Sequence, residues 1–126
     1  MTHSPFFIVV AILSALFGLG FLFMPDSVLS WYDAATDDVG RLLARLFGAA
    51  LICLAVIYFM ARDVAAGTVL AGLLWAGLII SVLDLVLTVT ATTSGLLNGL
   101  GWGQSLLSIV LGAGFAYFLF GKPART

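Results

Sequence analysis

Apolar residues in this chain run in long blocks rather than alternating with polar ones. Four stretches, roughly Phe6 to Met24, Leu42 to Ala61, Thr68 to Ala91 and Trp102 to Gly121, stand out. Each is close to the ~20 residues with which an α-helix crosses a hydrocarbon core about 30 Å thick. In lipid a helix satisfies its own amides, and the stretches are too long and too uniformly apolar for barrel strands. The predicted fold is therefore all-α: one transmembrane domain over residues 1–126, with helices over 5–24, 37–61, 67–92 and 102–121. The connections after the second and third helices are short, which makes consecutive helices antiparallel neighbours in an up-down bundle with both termini on one side.

The polar positions punctuate these blocks. Ser4 followed by Pro5 reads as a cap and first-turn proline, and Met24-Pro25 ends the first helix. The following loop, 25–36, is the one connection with content. Asp26 or Ser27 is placed to cap a short turn that lays Val28, Leu29, Trp31 and Tyr32 on the membrane surface. Thr36 is the expected cap of the second long helix, with Asp37 and Asp38 in its first turn facing the positive end of the helix dipole. Small residues recur at four-residue spacing as Ser14 and Gly18, Gly72 and Ala76, and Ser108, Gly112 and Ala116, a pattern that lets helix backbones approach.

Composition sharpens this reading. Hydrophobic residues make up 63% of the chain and charged ones 9%, against roughly 25% charged residues in soluble domains. The formal net charge is −1 and the five basic residues are scattered, so nucleic acid is not an expected partner. Membrane lipids are, together with a membrane protein partner or further copies of the chain. The N-terminal stretch has no preceding Lys or Arg and no A-x-A site after it, which favours a retained helix over a signal peptide. Arg62, Lys122 and Arg125 on the side of the termini outnumber Arg41 and Arg45 on the other, which predicts cytoplasmic termini in a multi-pass protein.

Candidate chemistry is sparse. Cys53 is the single cysteine and His3 the single histidine, so neither a disulfide, a thiolate metal site nor an intramembrane haem ligand is expected. No phosphate-binding glycine loop or nucleophile-base pair is present. Tyr58, Tyr117, Phe118 and Phe120 fall near one set of helix ends and Trp102 near the other, as in interfacial aromatic belts. Gln104 and Asn98 are expected at a solvated mouth, and Trp75 to be packed.

The exception is Asp84, deep in the third block. A carboxylate there costs about 2.5–3.5 kcal/mol on insertion scales and is rarely left facing lipid. Ser81, Asp84 and Thr88 share a helical face with Gly77, forming a polar stripe that should point inward. The expected partner is Arg45, one turn into the second helix, whose guanidinium would form an intramembrane charge pair with Asp84.

RLLARLFGAALICLA opening the second helix and LDLVLTV carrying the acid in the third resemble the DoxX-like and related uncharacterised four-helix small membrane proteins. That resemblance implies a non-enzymatic accessory or anchoring subunit of a larger membrane complex. Asp84 read alone gives the alternative, a small oligomeric proton-coupled transporter. A third reading is a lipid- or quinone-acting enzyme with Asp84, Arg45 and Tyr32 near its site. No cofactor motif is legible, and a lipid or quinone is the one bound species the composition leaves open.

Overall fold

A computed structural model describes residues 3–32, 34 and 36–121. Lys122 and Arg125, counted above for orientation, and Asp33 lie outside the described residues. The chain forms five helices: α1 (Ser4–Phe23), α2 (Pro25–Trp31), α3 (Asp38–Met60), α4 (Thr68–Thr93) and α5 (Leu100–Phe120). All but α2 are long and apolar enough to cross a membrane.

Local chemistry sets the ends. Pro5 occupies the first turn of α1, where a missing N–H is no loss. Its neighbour Ser4 makes no capping bond and instead donates to Asp63 Oδ1 at 3.1 Å, tying the start of α1 to the α3–α4 connection. Pro25 opens α2 directly after the break at Met24. The cap of α3 is Asp37 rather than Thr36: its Oδ1 accepts from Gly40 N–H at 2.7 Å, the usual reach of a capping carboxylate to the third helical residue. Arg41 then bridges Asp26 of α2 at 2.9 Å and Asp38 at 2.7 Å, so α2 is held against the start of α3.

The long helices associate as two pairs. α1 lies along α3 and α4 along α5, while close backbone contact between the pairs is slight. Glycine governs the first pair. Gly18 and Gly48 face each other so tightly that a Cβ on Gly48 would sit 2.7 Å from the Gly18 carbonyl oxygen. Phe7 meets Tyr58 and Phe21 meets Phe47, so contacts that advance along α1 retreat along α3. In the second pair Gly77 lies under the Phe115 ring, Ser81 against Gly112, and Thr92 against Gly101, again in opposite senses. Gly72, by contrast, has open space around it, and Ala76 is exposed, so that small-residue pair packs nothing.

One end of the molecule is closed by aromatics from both pairs. Phe7, Tyr58, Phe115 and Phe118 form a buried cluster with Val10, Leu70 and Leu74. Tyr58 is 2% exposed and donates its hydroxyl proton to the Leu73 carbonyl at 2.7 Å. Tyr58 and Phe118 are therefore core rather than interfacial belt, because their rings fill the junction of α1, α3, α4 and α5. Tyr117 and Phe120 do face outward, and Trp75 is exposed with its edge on Phe120. At the other end the turn after α2 meets the α4–α5 connection: Asn98 N–H donates to the Tyr32 carbonyl and Asn98 Nδ2 to the Trp31 carbonyl, both at 3.0 Å.

Candidate functional site: a polar cluster in an apolar cavity

Because the pairs touch closely at their ends and little between, a cavity of about 520 Å³ separates them. The α1–α3 wall is mostly apolar, built from Val10, Leu13, Phe17, Phe47, Leu51 and Leu54 among others, with Ser14 and Tyr58 its polar members. The α4–α5 wall carries nearly all the polar atoms: Ser81, Asp84 and Thr88 from α4, Gln104 and Ser108 from α5, with Tyr32 contributed by the turn after α2.

Register explains the clustering. With Gly77 opposite Phe115 and Ser81 opposite Gly112, Asp84 comes opposite Ser108 and Thr88 opposite Ser105. Asp84 Oδ2 accepts from Ser108 Oγ and, at 3.1 Å, from Gln104 Nε2. Thr88 Oγ1 and Ser105 Oγ lie 2.9 Å apart, and Thr88 also reaches the Asp84 carbonyl oxygen at 2.8 Å. The Tyr32 hydroxyl completes the chain with a long contact, 3.4 Å, to Gln104 Oε1. Burial, reinforced by the nearby Asp84 carboxylate, pushes the Tyr32 phenol above its ordinary pKa, so it remains a neutral donor.

Asp84 thus sits on the inward stripe with Ser81 and Thr88, but the structure does not bring Arg45 to it. Arg45 is exposed, and among the described residues no ion pair joins it to a carboxylate. The reason is helical phase. The cavity side of α3 carries Phe47, Leu51 and Leu54, and a residue two positions before Phe47 points about 200° away from it. The short polar side chains of α5 take the place of the guanidinium. Gln104, expected in solvent, is half-buried against Asp84, and Asn98 is spent on the α2 turn. Of the interfacial pair, Trp31 is exposed while Tyr32 turns inward. The signal for Gln104 and Ser108 was their spacing. Gly101, Gln104, Ser105, Ser108 and Gly112 repeat every three or four residues, matching the stripe on the helix before.

The profile of a family described as a domain of unknown function, DUF8292, matches residues 8–122. The chain belongs to that family. No curated protein matches it, and no solved structure does. The DUF8292 span takes in Tyr32, Asp84, Gln104 and Ser108 and both walls of the cavity.

Chemically, the DUF8292 cluster leaves one carboxylate oxygen without a hydrogen bond among the described residues. Both hydrogen bonds to Asp84 go to Oδ2. Oδ1 receives none from the described residues, and it is not among the fully buried atoms. A carboxylate oxygen left without a partner at the edge of an apolar chamber can accept a hydrogen bond from a polar head.

Proposed function

We propose that the chain is an integral membrane protein, a four-span up-down antiparallel bundle with a short interfacial helix, that holds a small amphiphilic molecule between its two helix pairs. The two opposed contact registers and the four long apolar helices support the bundle, and the excess of Lys and Arg on the side of the termini supports their cytoplasmic placement. The observation that carries the binding role is the cavity itself: a mostly apolar chamber with one convergent polar cluster is the usual form of a small-molecule site. The role is non-enzymatic in this reading. Asp84, held by Ser108 and Gln104, is an anchor, and no described nucleophile-base pair stands beside it.

The test is native mass spectrometry of the protein released from its own membranes in mild detergent. A small molecule retained by the parent and lost from Ala50→Phe, which puts a ring into the cavity, is the expected result. Equal retention by parent and variant, or none by the parent, sinks the reading.

Arg45 favours a second reading. An exposed cation on an apolar helix has a use where another chain presents an acid. That is the accessory or anchoring subunit implied by the DoxX-like layout, and a partner protein copurifying with the parent but not with Arg45→Gln would support it.

A further inference from the structure

The polar atoms of the cavity differ in what they still have to offer. Several donors around Asp84 are spent within the protein: Ser108 and one N–H of Gln104 on Asp84, Thr88 on a main-chain carbonyl or Ser105, and Tyr32 on Gln104, while the Ser81 hydroxyl and the second Gln104 N–H make no hydrogen bond among the described residues. Among the described lining residues Asp84 is the charged one, and its Oδ1 is left without a hydrogen bond. Among the described lining residues none is Lys, Arg or His. Neutral donors offset the cost of burying a carboxylate but leave its negative charge in place, and a cationic occupant would neutralise it.

We propose that the occupant is an organic cation on an apolar body, a lipophilic ammonium or amidinium whose N–H groups bind Asp84 Oδ1 while its hydrocarbon lies against the α1–α3 wall. The inference rests on the binding role proposed above and narrows it to one charge class. A bare metal ion fits poorly. The chamber is far larger than an ion, its walls are apolar, and among the described residues no three His, Cys, Asp or Glu side chains gather to coordinate one. An anionic amphiphile would meet Asp84 with like charge, and a neutral one would leave the carboxylate uncompensated. Phe17 and Phe47 on the opposite wall add ring faces of the kind that attract cations.

The experiment uses the full chain in zwitterionic nanodiscs. Equilibrium dialysis measures the uptake of dodecylamine at neutral pH, dodecanol and dodecanoate, with empty nanodiscs as the blank. The expected result is that the amine binds about tenfold or more tighter than either of the other two, that Asp84→Asn removes that preference while leaving the alcohol unchanged, and that Ala50→Phe abolishes uptake of all three. Equal binding of the three by the parent overturns the charge assignment and leaves the cavity reading standing. A preference that survives Asp84→Asn overturns the anchoring by Asp84. Uptake no greater than the empty-nanodisc blank for all three overturns both readings. Should Asp84→Asn fail to fold, the comparison of the three heads on the parent together with Ala50→Phe still decides.

Discussion

At the scale of the residue, Asp84 is stabilised by short neutral neighbours. In the proposed bilayer span its place costs about 2.5–3.5 kcal/mol, and a hydrogen bond to a charged group returns about 1.5–3 kcal/mol. The two donors on Oδ2, Ser108 and Gln104, therefore offset the cost without a guanidinium, which leaves Arg45 free to lie on the outside of α3. This orders the effects of substitution. Ser108→Ala should lower stability by about 1–3 kcal/mol, because it leaves a buried acceptor short of a donor. Arg45→Gln should change it by less than about 0.5 kcal/mol, as an unpaired surface position does. Reversible unfolding of the detergent-solubilised protein measures both, and the opposite ranking would restore Arg45 as the partner of Asp84.

At the scale of the element, glycines decide which helices pair. Gly48 lies so close to α1 that any side chain there has to push backbone aside, whereas Gly72 meets nothing within 4 Å. Gly48→Leu should therefore destabilise the protein by roughly 1–3 kcal/mol, the scale of an overpacked contact. Gly72→Leu should be tolerated within about 0.5 kcal/mol. The midpoint of thermal unfolding in one detergent compares the two; equal losses would mean that α1 and α3 are not in the contact described. The sequence could not separate these glycines. Both sit in apolar blocks beside other small residues, and spacing says that a face is smooth without saying what faces it. It did carry the four blocks, the break at Pro25, the end of the second long helix, read at Ala61 and found at Met60, and the shared face of Ser81, Asp84 and Thr88, because those follow from hydropathy and helical period alone. The partner of Asp84 was harder. Depth along the helix made Arg45 eligible, but its phase on α3, fixed by the contact of Gly48 with Gly18, turns it away. Tyr58 was misplaced for a related reason: position near a helix end suggests an interface, while its burial depends on all four long helices converging there.

At the scale of the whole molecule, the two pairs behave as jaws joined at both ends. Phe7, Tyr58 and Phe115 close one end and the Trp31–Tyr32 turn with Asn98 the other, so the space between is a chamber open at its side, with one charged group among the described lining residues. In the proposed bilayer placement the outward faces, with Leu16, Leu43 and Leu106 each more than half exposed, meet lipid. A bound amphiphile and the surrounding lipid therefore touch different residues. The most direct measurement is photolabelling of the protein in nanodiscs with a diazirine-bearing dodecylammonium, followed by peptide mass spectrometry to locate the adducts. Adducts on Phe17, Leu51 and Leu107, which line the cavity, that fade when unlabelled dodecylamine competes are the expected result. Adducts confined to Leu16, Leu43 and Leu106 and indifferent to competition would contradict it.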